Sequence, residues 1–217
     1  MSGQAADKLS PTARSGLILL ALGLLVSLSL GLWMGINSSP VNWLSQQTGV
    51  MLYRTGQPVS DFQFIDQFGN KRNQASLNKR WKLVFFGYTF CPDICPTTLA
   101  DMNRVWKKLT PAEREQLQLV FVSIDPERDT VASLQPYLNY FNPEFIGLTG
   151  NKAALKTLAL EINGFYARVD RETGPYLMDH SANLMLIDQH WQYRGYIEPP
   201  FSRDRMQSIL EAVIKQP

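Results

Sequence analysis

The chain has 217 residues, with 21 Lys plus Arg against 19 Asp plus Glu and a formal net charge of +2. No basic cluster of the kind a nucleic-acid face needs is present, and there is no internal repeat or low-complexity segment. The length beyond an N-terminal apolar run suffices for one domain with a sizeable core.

Residues 1–15 carry Lys8 and Arg14 together with Asp7. Gly16 to Gly35 then gives twenty residues without a charge. At about 1.5 Å per residue this run spans roughly 30 Å, the thickness of a bilayer core. The reading is a transmembrane anchor over 16–36. After Arg14 no Lys or Arg occurs until Arg54, so the positive-inside rule leaves residues 1–15 in the cytoplasm and carries the rest across. Trp33 and Trp43 suit the far interface. The exit Ile36-Asn37-Ser38-Ser39-Pro40 offers no Ala-x-Ala cleavage site. No cysteine follows the run, as a lipoprotein would require, and the leader is neither long nor Arg-rich. The expectation is a single-pass protein of the bacterial inner membrane with its body in the periplasm.

Residues 37–55 are polar and read as a periplasmic stalk, and 56–217 as the folded domain. Phe62 and Phe64 alternate with Gln63 and Ile65, and Asp66-Gln67-Phe68-Gly69-Asn70 reads as a hairpin turn. Trp81 to Phe86 is a continuous apolar run, the mark of a buried strand. Phe90-Cys91-Pro92-Asp93-Ile94-Cys95-Pro96 follows directly. Pro96 suits the first turn of a helix, along which Leu99, Met102, Trp106 and Leu109 recur at helical spacing. Thr110-Pro111-Ala112-Glu113 is a capping box. A second buried strand spans 118–124. A helical segment over 131–141 is expected to break or start late at Pro136. A short strand over 145–148 precedes an Ala/Leu-rich helix over 151–162. Further strands are expected over 165–169, 182–187 and 192–197. Residues 164–179 read as a mobile hairpin able to gate the site. A closing helix spans 202–214, with Ser202 as cap. This order predicts an α/β fold, a central mixed sheet flanked by helices. A cysteine pair at the first strand-to-helix turn is the thioredoxin arrangement.

Cys91 and Cys95 are the only cysteines. A helix N-terminus lowers thiol pKa, which serves a nucleophile and a metal ligand alike. The spacing leans toward metal. Dedicated disulfide exchangers use two intervening residues, whereas three make a looser loop that can spread its sulfurs around an ion. Two thiolates favour Cu(I), Zn or Fe–S chemistry, but two cysteines alone cannot complete a Zn or Fe–S cage. Of the two histidines, His180 precedes the strand expected beside the one that feeds Cys91. His190 lies in a hairpin turn at the opposite end. The sheet geometry therefore selects Cys91, Cys95 and His180 as metal ligands and leaves His190 at the surface. A three-coordinate set suits Cu(I), with a summed charge of −1 that a helix N-terminus favours. As a redox pair, Cys91 and Cys95 would instead exchange disulfides. A peroxidase is disfavoured, because Thr89 stands only two residues before Cys91. Met102 and Met178 read as core filler, Tyr137, Tyr140 and Phe141 as packing, and Arg203 and Arg205 as a solvated helix face.

Tyr88 to Pro96, Val122 to Thr130 (VSIDPERDT), and Asp179-His180-Ser181 with Leu186-Ile187-Asp188 together resemble the Sco (SenC) proteins. The likeness runs from about Gly56 to the C-terminus and takes in Asp61-Phe62, Asp66-Gln67 and Gly69. It implies a thioredoxin-like domain that binds copper through Cys91, Cys95 and His180. It implies a role in cytochrome c oxidase assembly, either as a metallochaperone supplying the binuclear copper site of subunit II or as a thiol–disulfide reductase of that site's cysteines. An upstream periplasmic copper donor would load it. Asp125 would back the ligands or touch the partner, or else cap its own loop. The family commonly carries Tyr where this chain has Met185. No proline precedes His180, unlike thioredoxins.

Overall fold

The computed structural model describes residues 11–37, 47, 49–77 and 80–216. The apolar run lies in helix α1 (Pro11–Asn37). Its side chains are described for residues 18–33, and all of these are exposed. Among the described residues no helix is long and apolar enough to cross a membrane, so the anchor remains a reading of the sequence. Residues 1–10 and most of the expected stalk, Trp43 included, lie outside the described residues.

The strands are β1 (Val50–Pro58), β2 (Phe64–Asp66), β3 (Lys71–Arg72), β4 (Trp81–Gly87), β5 (Leu117–Ser123), β6 (Ile146–Gly150), β7 (Tyr166–Val169), β8 (Leu177–His180), β9 (Leu184–Ile187) and β10 (Gln192–Ile197). The remaining helices are α2 (Ile94–Trp106), α3 (Pro111–Arg114), α4 (Val131–Phe141), α5 (Lys152–Glu161) and α6 (Arg203–Ile214). Eight strands form one mixed sheet in the order β1-β10-β9-β4-β5-β6-β2-β3, and β7 pairs with β8 in a separate two-stranded sheet. β4, β5 and β6 are parallel, and β9 runs antiparallel to β4. Every residue of β4 and β5 is buried, which is why both are predominantly apolar. Leu99, Met102, Val105 and Trp106 form the buried stripe of α2, which packs on α6 and α4. A mixed sheet flanked by helices fits a thioredoxin-like α/β fold.

The expected 66–70 turn is present, with Gly69 at φ +82°. The Asp66 carboxylate collects the N–H groups of Phe68 and Asn70 and the Arg72 guanidinium. The capping box of Thr110 and Glu113 is also formed.

Four expectations are corrected. The segment read as stalk already belongs to the domain at Val50, because Val50 and Leu52 bury against the core while β1 pairs with β10. α4 runs through Pro136 without a break. A proline there forfeits a single backbone bond, and buried Leu134 and Leu138 hold the helix down on either side of it. α2 starts at Ile94, so Pro96 is its third residue and Cys95 already lies inside the helix. Residues 177–180, for which the sequence predicts no strand, form β8 opposite β7, and His180 ends it while still preceding β9 as expected.

Candidate metal centre

Gly87, at the end of β4, permits the approach of the site to the sheet. A Cβ there would stand 2.6 Å from the Phe121 ring and 2.9 Å from Cys95 Sγ. The chain then turns, with the Cys91 N–H donating to the Tyr88 carbonyl at 3.2 Å, and enters α2. Cys95 is fully buried and Cys91 partly so, and both are free thiols. The β7–β8 hairpin brings His180 over them. Its Nε2 lies 3.3 Å from Cys95 Sγ and 4.0 Å from Cys91 Sγ. The three ligand atoms all fall within 4.8 Å of one another.

The His180 ring is held on every side. Its Nδ1 is 3.0 Å from the Ser181 carbonyl. A carbonyl can only accept, so Nδ1 carries the hydrogen and Nε2 presents a lone pair to the sulfurs. The rings of Phe85 and Tyr88 meet it edge-on at 5.8 and 6.0 Å. The Tyr88 hydroxyl in turn accepts the Met178 N–H at 3.2 Å, which ties β8 to the cysteine loop.

The two thiols differ in character. A hydrogen bond from Cys95 lowers Cys91 to about 3 against the opposing effect of burial, with the backbone N–H groups of Asp93 and Cys95 adding to it. Burial first, and then the neighbouring Cys91, push Cys95 up. Cys91 is thus the ready thiolate, and Cys95 becomes one only when a cation or a reaction draws its proton away. Two soft thiolates and one imidazole at this spacing fit a single Cu(I) ion. Among the described residues no further His, Cys, Asp or Glu joins the cluster.

The other expected residues are placed as follows. His190 is exposed in the β9–β10 turn, at the far end of the sheet. Met102 is buried core on α2 and Met178 sits half-buried on β8. Tyr137 and Phe141 pack on the core, while Tyr140 is exposed. Met185 is buried in β9, opposite Tyr196. Arg205 is partly exposed and donates to the carbonyls of Glu198 and Pro200; the side chain of Arg203 lies outside the described residues. Ser202 is the N-cap of α6 by position but makes no side-chain cap bond. Asp125 does cap its loop, through its carbonyl to the N–H groups of Arg128 and Asp129. Its buried carboxylate also binds the Arg128 guanidinium and accepts the Tyr176 hydroxyl at 2.8 Å. Sequence reasoning overlooked Asp129, whose buried carboxylate holds Thr89. The only available signal was its place in the VSIDPERDT block.

The family model described as SCO1/SenC matches residues 53–215. This chain belongs to the SCO1/SenC family. It is 40% identical over 152 residues to an SCO2-like protein of Rickettsia conorii, a match covering 69% of this chain and 74% of the relative. It is 31% identical to ScoI of Bradyrhizobium japonicum, solved with copper bound, at a TM-score of 0.62 over 71% of this chain and 98% of that one. Apo Sco1 of Thermus thermophilus, solved in solution, is 32% identical at a TM-score of 0.68 over 77% of this chain and 97% of that one.

Proposed function

We propose that this SCO1/SenC chain binds one copper ion through Cys91, Cys95 and His180 and delivers it during cytochrome c oxidase assembly. The observation that carries this reading is the meeting of two sulfurs and one imidazole nitrogen within 4.8 Å. Family membership supports copper as the cargo, and the preference of soft thiolates for Cu(I) supports it independently. The receiving protein is cytochrome c oxidase subunit II with its binuclear copper site, and a periplasmic copper donor loads the chain. Residues 16–36 anchor it in the bacterial inner membrane, with the folded domain from Val50 onward in the periplasm.

The reading is tested by anaerobic Cu(I) titration of the reduced protein against a competing chelator. Wild type should hold one copper. His180→Ala and Cys91→Ala should each weaken it at least tenfold, about 1.4 kcal/mol or more. Copper binding indifferent to both residues would sink the proposal.

A second reading, reduction of the partner's cysteines, is favoured by the low pKa of Cys91 and by the 3.3 Å contact of Cys95 with His180. The Cys91 thiolate would attack a sulfur of the partner's disulfide and expel the other as thiolate. Cys95, its proton taken by His180 Nε2, would then attack Cys91 Sγ and release the reduced partner. The chain would finish with a Cys91–Cys95 disulfide, to be restored by a dithiol donor. Because His180 serves both readings, its loss alone does not separate them. Copper stoichiometry does.

A further inference from the structure

A cavity beside the hairpin holds a soft donor that neither reading uses. It measures about 210 Å³ and lies between the body, at Ile124 and Leu155, and the β7–β8 hairpin, at Tyr166, Arg168, Tyr176 and Met178. Its mouth is rimmed by the exposed side chains of Glu127 and Lys152. Alternate residues of a strand share a face, so Met178 and His180 project from β8 together. Tyr166 pairs with His180 and Arg168 with Met178, and such opposite residues lie on one face with Cβ atoms about 5 Å apart. The hairpin face that brings His180 to the sulfurs is thus the face that walls the cavity. Tyr166 belongs to both, so the cavity ends one cross-strand pair from the imidazole. Met178 gives that wall a sulfur. Its side chain is half-buried, and its N–H is tied at 3.2 Å to the hydroxyl of Tyr88, just before the cysteine loop.

We propose that Met178 is a transient Cu(I) ligand, and that the cavity is the way in by which copper reaches Cys91, Cys95 and His180. Under the delivery reading, on which this role rests, the chain must take its ion from a donor before handing it on. The thiols are poor first contacts, since Cys95 is fully buried and Cys91 partly so. A thioether is neutral, has no proton to lose, and is a soft ligand of the kind Cu(I) selects. Its unbranched side chain, with three rotatable bonds, lets the sulfur reach into the cavity and swing back. Cα atoms of alternate residues on a strand lie about 6.6 Å apart, a gap that the methionine and histidine side chains bridge. In the loading step a Met178 Sδ–Cu bond forms as the donor's bond breaks. Bonds to Cys91 Sγ and His180 Nε2 then form, Cys95 binds as its proton passes to solvent, and the Met178 bond breaks. The ion stays Cu(I), so no electron moves. A packing role alone asks for volume at this position, and Leu would supply it.

The test uses the full reduced chain under anaerobic conditions, with Cu(I) supplied as the complex of a competing chelator. Met178→Leu keeps the volume and removes the sulfur. A waypoint lowers the barrier from both sides, so uptake from the chelator and release to it should both slow, by about tenfold. Met102→Leu removes a buried core sulfur instead and should leave both rates as they are. In Cys91→Ala saturated with Cu(I), the ion should come to rest on Met178. The isotope-labelled methyl resonance of Met178, identified by its loss in Met178→Leu, should then shift. Rates that Met178→Leu does not change, equal slowing in Met102→Leu, or a methyl that does not move in Cys91→Ala each overturn the role of Met178. A wild type that binds no copper overturns delivery and the waypoint together, whereas copper held tightly with rates indifferent to Met178 overturns the waypoint alone.

Discussion

Lys82 is buried on β4, its ammonium 4.2 Å from the centroid of the Trp191 ring and without a hydrogen-bond partner among the described residues. Burial lowers its pKa from 10.5 to about 8, against the pull of Asp188. The sign of the stability effect follows from linkage. Between about 8 and 10.5 the unfolded chain binds the proton that the folded chain has released, so stability rises with pH across that window. Below it the folded protein carries the full penalty of a buried charge. Lys82→Met should therefore raise the urea midpoint at pH 7, and the advantage should shrink toward pH 10.5; a midpoint lowered at pH 7 would refute this account. Gly87 is a second sensitive position. Gly87→Ala drives a methyl into Phe121 and Cys95 Sγ, an overpacking cost of about 1–3 kcal/mol. Both the unfolding midpoint and Cu(I) affinity should drop, whereas an undisturbed affinity would show that Cys95 has room to yield.

The β7–β8 hairpin owes its place to Tyr176. Its ring lies between two guanidinium groups, Arg128 at 3.6 Å and Arg168 at 3.9 Å. Its carbonyl accepts from Arg128 at 2.9 Å and its hydroxyl donates to Asp125 at 2.8 Å. The hairpin expected from the sequence as a gate is therefore latched onto the loop after β5. Tyr176→Ala removes contacts of about 1–2 kcal/mol. Amide exchange over 166–180 should speed up, and Cu(I) should leave faster; unchanged exchange would mean that the latch lies elsewhere. The elements easiest to read were those with one dominant cause. β4 and β5 are predominantly apolar because both faces are covered, and α3 carries its own capping box. β8 was missed because Leu177-Met178-Asp179-His180 is half-buried without alternation and is a strand only through its pairing with β7. The start of β1 was missed for a similar reason, since the apolar run Val50-Met51-Leu52-Tyr53 is short and lies among polar residues, and its pairing with β10 is remote in sequence.

At the level of the whole chain, the sequence-based anchor predicts that the full protein stays with the membrane fraction through alkaline extraction, while a form lacking residues 1–46 is released. Recovery of the full chain in the soluble fraction would remove the anchor. Three candidate ligands separated by as many as 89 positions were legible because thiols and imidazoles are scarce here. Asp129 was not, since one acidic residue among 19 Asp plus Glu gives no hint of its burial. The ligands also belong to two hydrogen-bonded systems. Cys91 and Cys95 follow the end of β4, an interior strand of the large sheet, and His180 lies on the small one. Under the delivery reading, swinging the hairpin away would release the His180 bond and leave the core intact. An incoming donor atom could then take the vacated third position while both sulfurs still hold. The ion would not pass free through water, and the small sheet would set the speed of handover while the large one would set the grip.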